Sequence, residues 1–251
     1  MPIIADEMNA RALHLLYVLQ MHRVEASLPA NLYVVIGGDG FMLRCVRNYH
    51  APERIFLGLN CGRMGFLLNE VPEEQAWLPE LLRVPPKVFT FPRIRMLARN
   101  HRGEQMEALA LNDIYLERMT GQACHLRLEI DGTQVVQEVV CDGMIFSTAL
   151  GSTAYSYSAG GTPCHPLLDI VAITSICPHV PKLPQLFFPL SSKLHASVLS
   201  VERRRVRAVV DGVDFDDVVD VTVTNAQSPV KLAFFEQHDF TAALVQKVLH
   251  F

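Results

Sequence analysis

The spacing of apolar and polar positions changes character about a third of the way along the chain. Leu32-Tyr33-Val34-Val35-Ile36 and Ile55-Phe56-Leu57-Gly58-Leu59 are short apolar runs with the length and β-branching of buried strands. Apolar residues recur at helical spacing from Phe41 onward. They do so again across residues 5–24, where Ala12, Leu13, Leu16, Leu19 and Val24 fall on or near one face and Arg11, His14, Gln20 and Arg23 are among the polar positions. Buried strands alternating with amphipathic helices predict an α/β layer. No clear strand is legible ahead of the first helix, so the sheet edge is expected to be abbreviated.

From Val84 the pattern breaks. Pro85, Pro86 and Pro92 interrupt it, helical periodicity largely stops, and short β-like stretches follow at 108–111, 114–116, 125–130 and 135–140. Asp131-Gly132 separates the last two, and Asp211-Gly212 separates 206–210 from 213–215; each is a two-residue hairpin signal. The expected architecture is an α/β domain over residues 1–92 and a β-rich, sandwich-like domain over 93–235. Residues 240–251 return to helical spacing, so 236–251 are expected to complete the first domain.

The chemistry concentrates in three stretches. Gly37-Gly38-Asp39-Gly40 lies between the first apolar run and the helix after it. Glycines there allow a sharp turn and close approach to a ligand, and the helix start offers N–H groups to phosphate oxygens. A carboxylate repels phosphate, so Asp39 has a separate task, such as removing a proton or holding a metal ion. The plain alternative is a strand-to-helix turn with a solvated Asp. Directly after the second apolar run comes Asn60-Cys61-Gly62-Arg63-Met64-Gly65-Phe66-Leu67-Leu68. Two such turns at the ends of parallel strands would lie side by side, on the edge where open α/β sheets bind ligands.

The third stretch runs from Asp142-Gly143 to Gly151-Ser152-Thr153-Ala154-Tyr155-Ser156-Tyr157-Ser158-Ala159-Gly160-Gly161. Hydroxyls crowd against glycines, which suits a sugar or a phosphate. Gly/Ser-rich segments are usually linkers, but two tyrosines and apolar flanks predict an ordered loop here. No Gly-x-Ser-x-Gly elbow occurs, which disfavours a serine hydrolase.

Composition narrows the picture. The 251 residues are 50% hydrophobic with a formal net charge of -4, so the chain is globular and carries no general basic field for nucleic acid. No apolar run reaches the roughly 20 residues needed to cross a bilayer, and the N-terminus lacks the basic start and apolar core of a secretory signal. The cytosol is the expected location, with no membrane partner. The cysteines at 45, 61, 124, 141, 164 and 177 form no Cys-x-x-Cys pair and are expected to be reduced. Cys164-His165 and Cys177-Pro178-His179 hold zinc-type donors, but at no recognisable zinc spacing. Arg203-Arg204-Arg205 with Arg207 reads as a solvated strand end or hairpin edge, since no aromatic residues interleave.

Taken together and in this order, Gly37-Gly38-Asp39-Gly40, Asn60 with Gly65-Phe66-Leu67, Leu111-Asn112-Asp113, Asp142-Gly143, 151–161 and Ile176-Cys177-Pro178-His179 resemble the motifs of NAD kinases. Gly-Gly-Asp-Gly alone would also fit lipid, sphingosine and sugar-phosphate kinases of the same broad group. The resemblance covers about residues 30–190. It implies NAD bound between an N-terminal α/β domain and a C-terminal β-rich domain, with ATP or polyphosphate phosphorylating the 2′-hydroxyl of the adenosine ribose to give NADP. It implies a divalent ion, Mg2+, and a homodimer or homotetramer. By resemblance Asp39 is catalytic, and Gly37, Gly38, Gly40 and Asn60 serve the nucleotides. Phe66 lies beside the dinucleotide, Asn112 and Asp113 bind the adenosine, Asp142 sits near the nicotinamide, and Thr153, Ala154, Tyr155 and Ser158 line the pocket. A lipid or sugar kinase of the same group, or a non-catalytic NAD/NADP sensor, is the alternative.

Three positions depart from the family pattern. Ala149-Leu150 stands where members often have Pro and a variable residue. Val140 replaces a basic residue, and Val213 replaces Gln. The last two remove polar contacts to substrate and leave the preference between NAD and NADH open.

Overall fold

A computed structural model describes residues 3–24, 28–62, 65–71, 82 and 84–249; side-chain surroundings are described as far as Gln246. Arg63 and Met64 of the second glycine turn, and the last residues of the chain, lie outside these. The chain divides into two compact units, Met1–Phe91 with Pro229–Phe251, and Pro92–Ser228.

In the first unit, β1 (Ile3–Ala5), β2 (Leu32–Gly37) and β3 (Ile55–Asn60) are parallel and neighbour one another in that order, and the end of β15 (Val218–Phe234) adds a fourth parallel strand against β3. β2 and β3 are almost wholly buried, as their uninterrupted apolar runs require. β1 is the strand that the pattern did not reveal. Its three residues are too few to show a period, and they are ordered by pairing with Val34–Ile36 of β2.

Helix α1 (Ala10–Met21) is shorter than the 5–24 expected. It starts at Asn9, whose side chain accepts the N–H groups of Arg11 and Ala12. Its inner stripe is Ala12, Leu15 and Leu19, with Leu16 half-buried, whereas Leu13 is 43% exposed. Leu13, expected on or near the inner face, points outward, because apolar residues at 12, 13, 15, 16 and 19 suit either helical phase over so short a run. Helix α2 (Asp39–Tyr49) follows β2 through the first glycine turn and buries Met42, Cys45 and Val46.

The second unit is a sandwich. One sheet carries β15–β12–β7–β8, with β4 (Lys87–Asn100) on β15 and β5 (Gln105–Ala110) on β4. The other runs β11–β10–β9–β6–β13–β14. β6 (Asp113–Arg118), β9 (Gly143–Thr148), β10 (Ile170–Ile176) and β13 (Val206–Val210) face β7 (Cys124–Ile130), β8 (Thr133–Cys141) and β12 (Leu194–Leu199) across a shared core. Ile114, Leu116, Phe146, Leu126, Leu128 and Ala196 belong to that core. β11 (Leu186–Pro189) and β14 (Val213–Phe215) are the edges of the second sheet.

Both hairpins form where Asp-Gly predicts them. Asp131 and Gly132 have φ of 52° and 80°, and Asp211 and Gly212 have 44° and 79°, as a two-residue turn with two left-handed positions demands. Residues 149–161 fold into a 3-10 turn (Leu150–Thr153) and the short helix α3 (Tyr155–Ser158), an ordered segment as expected. Helix α4 (Phe240–Leu249) belongs to the first unit, and the chain enters that unit at Pro229.

Candidate functional site

In the first unit the two glycine turns meet. Gly37 pairs with Asn60 at the ends of β2 and β3, and the Cys61 N–H donates to Gly37 O at 2.7 Å. Asp39 opens α2 with its carboxylate turned to the second turn, where Oδ2 accepts the Phe66 N–H at 3.0 Å and Oδ1 accepts the Leu67 N–H at 3.1 Å. An N–H group can only donate, so both carboxylate oxygens are used as acceptors. A methyl group on Gly65 would come within 3.0 Å of Asp39 Oδ1, so glycine lets this loop close on the carboxylate. Above Gly38 and Gly40 the space is open: a methyl group at either would meet nothing within 4 Å. This is the room that a phosphate needs at the first turn of a helix.

Asn60 is buried at 1% exposure and is used structurally. Its Nδ2 donates to Glu70 Oε1 at 2.8 Å, and its Oδ1 accepts the Gly62 N–H at 2.8 Å. Phe66 is 4% exposed, and its backbone reaches Asp39. A cavity of about 390 Å³ lies between residues 65–70 and the start of α4, with Asn69, Glu70, His238 and Asp239 among its walls.

In the second unit the central feature is a clamp that the sequence did not announce. Asp211, at the first hairpin position, accepts three successive backbone N–H groups: Leu111 at 2.6 Å, Asn112 at 3.0 Å and Asp113 at 3.1 Å. The signal available in the sequence was an Asp-Gly turn, which also explains Asp211 without any partner 98 positions away. The clamp sets Asn112 and Asp113 at the head of β6, both buried. The Asn112 Oδ1 is buried without a hydrogen-bond partner among the described residues. An orphaned buried acceptor marks a place for a ligand donor. Burial, followed by the charge of Asp211, pushes the Asp113 carboxyl up to about 7.

The segment after β9 packs directly on this loop. A methyl group on Gly151 would sit 2.1 Å from Asn112 O, so only glycine allows the approach. Thr148 Oγ1 donates to Leu111 O at 2.7 Å, and the Thr148 N–H donates to Asn112 O at 2.9 Å. Thr153 is buried with its hydroxyl on Leu150 O, Ala154 is half-buried, and Ser158 is exposed. Tyr155 stands edge-on to Tyr115, with ring centroids 4.8 Å apart. Burial, and then the charges of Glu117, Cys177, Asp113 and Asp142, push its phenol above the usual tyrosine range. Asp142 is engaged by Arg118, Nε to Oδ1 at 2.6 Å.

The zinc-type donors do not converge. Among the described residues no group of three or more His, Cys, Asp or Glu side chains could hold a metal ion. All six cysteines are free thiols. The basic cluster is largely neutralised locally: Arg205 pairs with Asp217, and Arg207 with Glu117 and Asp214.

The chain is similar to known proteins. Residues 111–235 match the family model described as the ATP-NAD kinase C-terminal domain. An NAD kinase of Brucella suis is 35% identical over 218 residues, covering 86% of this chain and 83% of the relative. The chain belongs to the NAD kinase family. An NAD kinase of Xylella fastidiosa is 33% identical over 213 residues, 84% of this chain and 80% of its own. Among solved NAD kinase relatives, yeast NADH kinase complexed with NADH superposes with a TM-score of 0.77 at 26% identity, over 90% of this chain and 67% of that one. The NAD kinase of Archaeoglobus fulgidus in complex with ATP gives 0.74 over 96% and 95%; at 23% identity it shows the shared fold. The NAD kinase family model begins at Leu111, where the Asp211 clamp begins.

Proposed function

We propose that this NAD kinase family member phosphorylates the 2′-hydroxyl of the adenosine ribose of NAD, with ATP or polyphosphate as donor, to give NADP. The observation that carries the reading is Asp39, held by the Phe66 and Leu67 N–H groups beside glycines whose faces are open.

A ribose hydroxyl is a poor nucleophile, and Asp39 accepts its proton as the bond to phosphorus forms. Gly37, Gly38 and Gly40 bring the backbone close to the donor phosphates, whose charge the N–H groups at the start of α2 offset. The acceptor binds through unit 2. Asn112 Oδ1 accepts from the adenine amine, and Asp113 takes the ribose side of the nucleoside. Tyr155 supplies a ring face, with Thr153, Ala154 and Ser158 giving shape and hydroxyls, and Asp142 lies toward the nicotinamide. Asn60 and Phe66 act from behind, by shaping the second glycine turn. Positioning and charge neutralisation supply most of the acceleration, because proton removal is late in such transfers.

A divalent ion would arrive with the nucleotide, since no group of three or more His, Cys, Asp or Glu side chains among the described residues could hold one alone. Mg2+ would be held chiefly by the nucleotide phosphates and waters, with Asp39, whose oxygens accept the Phe66 and Leu67 N–H groups, left to the ribose proton. When bound, the ion neutralises triphosphate charge. Self-association into a homodimer or homotetramer is what the family resemblance implies, and size-exclusion chromatography with light scattering tests it. No helix among the described residues is long and apolar enough to cross a membrane.

The test is a coupled assay. Protein with Mg2+, NAD and either ATP or polyphosphate should yield NADP, and Asp39→Asn should abolish turnover while NAD still binds. NADP binding without NADP formation from any donor would favour a sensor. Phosphorylation of a lipid or a sugar in place of NAD would favour another kinase of the group.

A further inference from the structure

Four neighbouring strands of the second sheet share one row of side chains that face away from the core. Tyr115 of β6 lies opposite Ile145 of β9, and Ile145 lies opposite Thr174 of β10. β11 pairs with β10 as far as Leu186 on Ile173, so Gln185, the residue before it, comes level with Thr174 and closes the row. The alternate residues Ile114, Phe146, Ile173 and Leu186 serve the sandwich core, which leaves this row on the opposite face. The row spans three strand spacings, about 14 Å. Helix α3 lies on it: Tyr155 stands on Tyr115 at one end, and Ser156 meets Thr174 near the other. Ile145 and Thr174 are both buried, although they face away from the core.

A four-residue helix cannot hold its own shape, since its few turn bonds do not offset the ordering of its backbone. What holds α3 is a node of side chains at the Thr174 end. The Ser156 and Thr174 hydroxyls are 2.8 Å apart, and the Gln185 amide closes on both: Nε2 donates to Thr174 Oγ1 at 2.9 Å and to Ser156 Oγ at 3.3 Å. Gln185 Oε1 accepts the Thr162 N–H at 2.6 Å, beyond the end of the helix. That N–H can only donate, so it sets the amide with its oxygen toward the backbone and its NH2 toward the hydroxyls. A methyl group on Gly161 would come 2.6 Å from Ser156 Oγ and 2.8 Å from Gln185 Nε2, so glycine is what lets the node close. One side chain beside the edge strand therefore grips the segment at both Ser156 and Thr162.

We propose that Gln185 is a positioning residue of the acceptor site, which holds α3 on the sheet so that Tyr155 stands over Tyr115 before the dinucleotide arrives. The inference rests on reading 153–158 as a wall of the dinucleotide pocket. Gln185 acts there through Ser156, the residue next to Tyr155. Without the node the segment must be ordered at the moment of binding, and that cost is taken from the affinity for the acceptor. In the same reading the donor is held by the glycine turn of unit 1, so its binding is left alone.

The experiment compares Gln185→Leu, Gln185→Glu and Thr174→Val with wild type. It measures kcat, KM for NAD and for ATP, the NAD dissociation constant, and amide hydrogen exchange over 155–162 with and without NAD. Gln185→Leu keeps the size and loses all three hydrogen bonds: KM for NAD should rise about tenfold, with kcat and the KM for ATP within about twofold of wild type. Exchange in 155–162 should quicken without NAD and return to the wild-type rate when NAD saturates the site. Gln185→Glu still offers one oxygen to the Thr162 N–H and another to the hydroxyls, so its KM for NAD should stay within about threefold of wild type. A space-filling role predicts the reverse order, with leucine tolerated and the half-buried charge not. Should Gln185→Leu fold poorly, Thr174→Val removes one hydroxyl of the node at nearly constant shape and should raise KM for NAD about threefold. A wild-type KM for NAD in Gln185→Leu, the reverse order of the two Gln185 variants, or equal losses for NAD and ATP would overturn the proposal. If wild type binds NAD but phosphorylates none, the kinase reading fails, while amide exchange and the NAD dissociation constants of the same proteins still decide the role of Gln185.

Discussion

Replacing Asp113 by Asn should stabilise the ligand-free protein at neutral pH, by an amount that depends on pH in a definite way. Asp113 is 6% exposed, and burial together with the Asp211 charge raises its carboxyl from 3.8 to about 7. In the unfolded chain the group ionises near 3.8, whereas in the folded chain it keeps its proton until about 7. The folded state therefore binds more protons between these limits, and stability falls as pH rises through the window. The contribution is fully present below the unfolded value and is lost above the folded one. A rise from 3.8 to about 7 corresponds to at most about 4 kcal/mol. Asn cannot ionise and escapes the loss. Urea denaturation of both proteins without nucleotide, at steps from about pH 4 to about pH 8, reads the effect, because titrating groups remote from Asp113 cancel in the difference and only its neighbour Asp211 is coupled to it. The stability gap should be near zero at the acid end and grow to several kcal/mol above neutrality, while NAD binding weakens. A gap that does not change with pH would refute the reasoning. The trade is physically sensible: a carboxylate kept where its charge is disfavoured is held there for what it binds.

Three further outcomes follow from the same geometry. Asp211→Asn leaves one acceptor oxygen where the carboxylate served three N–H groups; it should cost about 1–3 kcal/mol and lower the Asp113 titration midpoint, read by carbon-13 NMR. Gly151→Ala drives a methyl group against the Asn112 carbonyl, so the adenosine loop must shift. A loss of about 2 kcal/mol in stability and a raised KM for NAD are expected from urea melts and initial rates. In unit 1, Asn69 is 2% exposed and donates to Gly58 O and Ala233 O while accepting the Phe235 N–H. Asn69→Leu abandons all three, and denaturation should show a loss of about 3–5 kcal/mol.

Local pattern alone determined much of this protein. The apolar runs at 32–36 and 55–59 became β2 and β3, the two Asp-Gly turns became hairpins, and the glycine turns came together because parallel strands end side by side. Those features depend on neighbours in the chain, so their periods and turn residues carry them. β1 is not legible because three residues hold no period, and the face of Leu13 is not legible because phase is ambiguous over a short helix. The site divides in the same way. Asp39, Asn112, Asp113, Asp142 and Tyr155 stood out as residue types in motifs. What holds them was decided by tertiary structure: the Phe66 and Leu67 amides on Asp39, the Asp211 carboxylate on residues 111–113, and the Arg118 guanidinium on Asp142. Each of these contacts joins positions between 24 and 100 residues apart. Directional hydrogen bonds and buried charges over such separations leave no periodic trace in a sequence, and they exist only once strands and turns have brought the partners within 3 Å or so.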